Sequence, residues 1–205
     1  MKNLLIAALL IFGLELTLSA KNIDGSMLIK KDGVSYVKAQ KGVFTGNAYY
    51  FFEDGSTRKI VPYYQGLIDG RLTEWRSNGS IKTIAYFRKG KQDGEYIGKF
   101  SNDKKSVVAY YRGGLQDGEV KTWYDNGRKK SNSYFRRGLQ DGEARTWYDN
   151  GKKATQVNYI NGNKDGQFKQ WHDNGKLAIK ASYSNGKVVG EVFRWNTNGE
   201  PIIKK

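Results

Sequence analysis

From residue 42 to residue 200 the chain alternates apolar and polar residues in short runs that glycines interrupt at fixed places. Such period-two alternation predicts strands buried on one side only. The interruptions keep strict time. Glycine recurs at 46, 70, 94, 118, 142, 166 and 190, always 24 residues apart, and a second series runs 42, 66, 90, 114, 138, 162 and 186. Asn-Gly stands at 78–79, 126–127, 150–151, 174–175 and 198–199, with Asp54-Gly55 and Asn102-Asp103 in the equivalent places. Three series in phase mark a tandem repeat.

Asn-Gly between β-rich flanks signals a hairpin, and the expectation is a two-residue type I′ turn. In repeat 118–141 this makes Asp125 face Arg128, Trp123 face Lys130, Val120 face Ser133 and Gly118 face Phe135. One face is then lined by Ala48, Leu72, Tyr96, Val120, Ala144, Phe168 and Val192, opposite Val61, Ala85, Ala109, Ser133, Val157 and Ala181. On that packed face an aromatic residue (Tyr63, Phe87, Tyr111, Phe135, Tyr159, Tyr183) covers the periodic glycine of the facing strand. The opposite face receives Phe51, Trp75, Trp123, Trp147, Trp171 and Trp195. Repeat three carries Lys99 in the Trp position, which predicts a bulge or altered face around 99–103.

Links such as Gly138-Leu-Gln-Asp-Gly142 are short enough to lay each hairpin beside the last. The expected fold is therefore all-β: an elongated single antiparallel sheet, a meander of 24-residue hairpins, following an N-terminal signal helix. At about 4.8 Å between strands a repeat advances roughly 9.6 Å, and seven repeats span on the order of 65 Å. Three segments are expected: a signal peptide over 1–20, a degenerate capping unit over 21–41 with Lys31-Asp-Gly33 and Tyr36, and the repeat array over 42–205.

The first twenty residues have the three parts of a secretory signal. Lys2 precedes an uncharged run from Leu4 to Leu14, and Leu16-Thr-Leu-Ser-Ala20 ends in small residues, so cleavage is expected near Ser19 or Ala20. The run of 11 residues falls short of the roughly 20 that a spanning helix needs. The reading is export, to the periplasm, the outer surface or beyond.

Charge adds one constraint. The formal net charge is +15, and since Lys2 and Glu15 cancel, all of it lies after residue 20. Such a surface favours anionic partners, although the same lysines also keep a sheet soluble and blunt its edges. With no cysteine, disulfides and thiolate metal sites are ruled out.

Candidate chemistry is sparse, and the expectation is no enzyme, no cofactor and no metal. The single histidine, His172, sits where sibling repeats have Tyr124 and Tyr148, so it reads as one substitution in an aromatic row. Asp69, Asp93, Asp117, Asp141 and Asp165 precede the periodic glycine and read as turn-formers. Copies about 9.6 Å apart cannot share an ion that needs oxygens at roughly 2.3–2.6 Å. None of the glycine-bearing links has Gly-Lys-Ser/Thr leading into a helix, so no phosphate loop is present.

The stretch Tyr134-Phe-Arg-Arg-Gly-Leu-Gln-Asp-Gly-Glu-Ala-Arg-Thr-Trp-Tyr-Asp-Asn-Gly151 resembles the MORN repeat, in the variant found in bacterial YwqK-type antitoxin proteins. The likeness covers about residues 42 to 200. It implies elongated antiparallel sheets and a role in protein–protein scaffolding or membrane attachment, with an antitoxin-like or immunity role as a special case.

The candidate interaction surface is the tryptophan row (Trp75, Trp123, Trp147, Trp171, Trp195) with the cations beside it. These are Lys82 and Lys130, expected opposite Trp75 and Trp123, and Lys104, Lys105, Arg128, Lys129, Lys152 and Lys153 along the turn margin. Aromatics interleaved with cations suit a protein partner. The alternative is an anionic lipid surface or polysaccharide held by the two basic margins, the second comprising Arg88, Lys89, Arg112, Arg136 and Arg137. No nucleic acid is expected, and oligomeric state is left open.

Overall fold

The computed structural model describes residues 21–38, 40 and 42–202; the expected signal peptide lies outside the described residues. The described residues form one open sheet of 18 strands and a separate two-stranded hairpin. Six successive hairpins form the sheet: 46–64, 70–88, 91–112, 118–136, 142–160 and 166–184. A last strand, Lys187–Arg194, follows them. Consecutive hairpins pair antiparallel throughout, so the fold is an all-β meander as expected.

Within each hairpin the expected inner register holds. Gly46, Gly70, Gly94, Gly118, Gly142 and Gly166 face Tyr63, Phe87, Tyr111, Phe135, Tyr159 and Tyr183. Two residues further out, Ala48 faces Val61, Val120 faces Ser133 and Ala144 faces Val157. This row is the buried spine of the packed face, with Ala48, Val61, Ala85, Ala109, Ala144, Val157 and Ala181 all removed from solvent. Small residues in the spine let the flanking aromatic rings close over it.

The outer register differs from expectation because the turn differs. The Tyr124 amide donates to the Arg128 carbonyl, the Gly127 amide donates back to the Tyr124 carbonyl, both at 2.9 Å, and Gly127 takes φ +89. Asn126 stays out of the positive-φ region. This is a three-residue loop, a type I turn closed by a left-handed glycine and a bulge. Asn126 holds it by accepting the Arg128 amide on its own Oδ1 at 2.8 Å. The bulge shifts pairing by one residue. Trp123 faces Lys129 instead of Lys130, Trp75 faces Ile81 instead of Lys82, and Tyr124 with Arg128 replaces Asp125 with Arg128 as the closing pair.

The irregularity expected only in repeat three is thus a property of every full hairpin. Lys99 faces Lys105 across the same shift, and Asp103 adopts φ +62 in the place of the turn glycine. Type I′ geometry does occur, at the other end of the strands. Arg137 (φ +50) and Gly138 (φ +83) form the two-residue link, as do Gln65-Gly66, Lys89-Gly90, Asn161-Gly162 and Asn185-Gly186.

At the N-terminal edge, Lys21–Asp24 runs parallel to Gly46–Phe51, the one parallel pairing among the described residues. A 3-10 turn over Gly25–Met27 then leads into the hairpin Leu28–Lys31 and Val34–Val37, whose turn is Asp32-Gly33. Val37, Phe44 and Ala48 form a buried cluster there, against which Ile23, Leu28, Tyr50 and Tyr63 pack.

Candidate interaction surface

The face opposite the buried spine carries a continuous line of directly paired residues. It starts at Tyr49, Ile60, Thr73, Ile84, Ile97 and Val108. It continues through Lys121, Asn132, Arg145, Gln156, Lys169 and Lys180 to Phe193. It is mainly apolar up to Val108, basic and polar from Lys121 to Lys180, and apolar again at Phe193. Period-two spacing from the Trp positions points to these residues, yet sequence reasoning did not single them out.

One aromatic rail flanks the basic half on the turn side, and on the link side two tyrosines flank only its start, the same position being Asn158 and Ser182 further on. On the turn side, Trp123, Trp147, Trp171 and Trp195 follow one another in four consecutive repeats, each half-buried. Trp75 is cut off from them by Lys99. On the link side stand Tyr110 and Tyr134, 42% and 43% exposed, a row the sequence analysis missed. Their hydroxyls donate to Glu95 and Glu119 at 3.3 and 3.1 Å. Lys121 pairs with Glu119 and Arg145 with Glu143. The Lys121 ammonium is the main reason the Glu119 carboxyl sits below its ordinary range, and Glu119 in return holds the Lys121 ammonium above its own.

Lys169 and Lys180 are different. They stand directly opposite each other on adjacent strands, and among the described residues neither forms an ion pair. Lys153 adds a third cation, its Nζ 5.8 Å from the centroid of the Trp171 ring.

The cations of the turn margin have a structural duty that the sequence did not reveal. Lys104 Nζ donates to the Asn126 carbonyl, Arg128 to the Asp149 carbonyl, Lys152 to that of Asn174 and Lys176 to that of Asn198, all at 2.8–2.9 Å. Each bond joins one turn to the next. A second ladder runs beside it, in which the amides of Asn102, Asn126, Asn150 and Asn174 donate to the carbonyls of Asp125, Asp149, Asp173 and Thr197. Tyr124, Tyr148 and His172 make a third, to the carbonyls of Trp147, Trp171 and Trp195. Arg76 occupies the same place and donates to the Lys99 carbonyl.

The remaining candidates are scattered. Lys82 binds Glu74 at 3.1 Å, Lys129 and Lys153 face Trp123 and Trp147, and Lys130 lies over the Tyr124 ring at 5.5 Å. Arg136 sits 3.9 Å from Asp141, and Arg137 occupies the left-handed position of its link. The recurrent aspartates work as caps: Asp69, Asp93, Asp117, Asp141 and Asp165 accept the amide of the left-handed link residue 20 positions on. Among the described residues no group of three or more His, Cys, Asp or Glu is placed to hold a metal ion, and no helix is long and apolar enough to cross a membrane.

Residues 116–136, 140–161 and 164–185 each match the family model described as MORN repeat variant. Over these three tandem units, about a third of its length, the chain is similar to the MORN repeat variant. No curated protein matches the chain. The matched units carry Trp123, Trp147 and Trp171 and the middle of the turn ladders, while the same 24-residue hairpin geometry extends N-terminal to them. MORN repeats are in general modules that bind proteins or membrane lipids.

Proposed function

We propose that the chain is an exported, non-catalytic MORN-repeat module that presents its tryptophan-bearing face to a protein partner at the cell envelope. The observation that carries this reading is the half-buried row Trp123, Trp147, Trp171 and Trp195 beside exposed Tyr110 and Tyr134, on the face away from the buried spine. Exposed aromatic surface of this kind is what protein interfaces enrich. Export rests on the Lys2, apolar-run and small-residue pattern of residues 1–20. Immunity to a secreted toxin is a special case. Capture from the envelope fraction should recover a stoichiometric protein, lost when Trp123 and Trp147 become Ala; recovery of none refutes the proposal.

A second reading, binding to an anionic membrane surface or polysaccharide, is favoured by one observation. Lys104, Arg128, Lys152 and Lys176 touch neutral carbonyls, so their bonds leave a line of uncompensated positive charge along the turn margin. Steep weakening with salt is its signature. Absence of binding to anionic vesicles at low salt rules it out.

A further inference from the structure

The basic half of the exposed face has a spacing that selects a ligand. Along the line of paired residues, Lys121, Arg145 and Lys169 recur every second strand, so they lie about 9.6 Å apart. Lys180 follows one strand later, about 4.8 Å on. A polypeptide in the polyproline II form repeats every three residues and rises about 9.3 Å in doing so. A chain of that form laid across the strands therefore offers the same side-chain position to every repeat, and one that is acidic at every third residue offers each repeat a carboxylate. Aromatic rails are how such ligands are gripped elsewhere, because a preformed extended helix loses little entropy when it packs on rings.

The charges locate the anchor. At Lys121 and Arg145 the face supplies its own carboxylates, Glu119 and Glu143, which partly satisfy the cations. In the next repeat the equivalent position is Gln167, and Lys169 faces Lys180 with no acidic partner among the described residues. Like charges directly opposite on neighbouring strands destabilise a sheet. A pair kept in that arrangement, with Lys153 over the adjoining Trp171 ring, is arranged for an incoming anion.

We propose that this face binds an extended acidic polypeptide of polyproline II type, running across the strands with a carboxylate at every third residue and anchored between Lys169 and Lys180 beside Trp171. This deepens the protein-binding reading and rests on it.

The probe is a labelled synthetic peptide of Pro-Pro-Glu triplets, titrated against the full chain by fluorescence anisotropy. Its control has the same residues sorted into proline and glutamate blocks. The triplet peptide should bind, and the block peptide should bind about tenfold or more weakly. Lys169→Gln with Lys180→Gln should cost the triplet peptide a similar factor, the size expected for losing a charge-assisted contact. Lys180 is exposed and Lys169 half-buried, and circular dichroism checks that the variant stays folded. Lys30→Gln, in the separate N-terminal hairpin, should leave binding unchanged. Equal binding of the two peptides, insensitivity to the lysine changes, no binding at all, or binding of anionic vesicles that depends on the same two lysines each overturns the proposal. If the triplet peptide fails while envelope capture still requires Trp123 and Trp147, only this inference falls; if capture fails too, the protein-binding reading falls with it.

Discussion

His172 Nε2 lies 2.9 Å from the carbonyl oxygen of Trp195, the same bond that the Tyr124 and Tyr148 hydroxyls make to Trp147 and Trp171 at 2.8 and 2.7 Å. A carbonyl only accepts, so Nε2 carries the proton. The chain's single histidine is a joint between repeats. His172→Tyr should therefore fold with unchanged or higher stability, whereas His172→Phe should lose about 1 kcal/mol in urea denaturation. An equal loss in both variants contradicts the role.

Gly118 combines φ +125 with a crowded neighbour. A Cβ added there would stand 3.2 Å from Tyr110 Cβ, with Phe135 directly opposite on the paired strand. Gly118→Ala should cost about 1–3 kcal/mol, from backbone strain together with displacement of Tyr110. Thermal unfolding followed by circular dichroism measures it, and a neutral result would show that the strand relaxes at no cost.

Asn126 makes two bonds of different kinds. Its Oδ1 accepts the Arg128 amide within the turn, and its amide reaches the Asp149 carbonyl at 3.3 Å in the next one. Asn126→Ala should cost about 1–2 kcal/mol. Asn126→Asp keeps the acceptor and loses the donor, so its stability should fall between those of the wild type and Asn126→Ala.

Tyr63 packs against the Val37–Phe44–Ala48 cluster, and burial followed by the nearby Tyr50 pushes its phenol up to about 12 from 10.0. The folded state thus favours the neutral phenol. Its contribution to stability is complete below about pH 10 and disappears as pH rises through 12. Carbon-13 labelling at the tyrosine ring should show Tyr63 titrating near 12, and Tyr63→Phe should flatten that part of the alkaline stability profile. A titration at the ordinary value argues against the packed environment.

Each repeat bonds to the next through joints that span 21 to 23 residues. Deleting residues 118–141 joins Asp117 to Gly142 with the same sequence context and preserves the ladders. The shortened chain should keep its β-type circular dichroism per residue and unfold cooperatively; collapse to an unfolded chain would mean that the repeats are not interchangeable.

How much of this was legible depended on how local the signal is. Glycine 24 residues apart and alternation along Gly118–Trp123 specify a strand, a register and a face, because the side-chain period of a strand is two and any slip would bury the wrong set. The turn was not legible from the dipeptide alone. Asn-Gly suits both a type I′ turn and a type I turn with a left-handed glycine, and the choice fell to Asn126 bonding its own loop through Oδ1. That choice moved Trp123 from Lys130 to Lys129. The margin lysines read as free charge because a Lys-to-carbonyl bond has no compositional signature; their recurrence at 104, 152 and 176, with Arg128 between, was the only trace. The parallel strand Lys21–Asp24 pairs across 25 residues, outside the reach of the repeat pattern.

The turn ladders have a mechanical side. Since each Lys, Asn and aromatic joint ties a turn only to the one after it, a force that peels the C-terminal strand away loads one set of joints at a time. The protein should give way in near-equal steps, each freeing 24 residues that stretch to roughly 80 Å, so that it yields gradually under tension and absorbs work where a single-core domain would snap open at once.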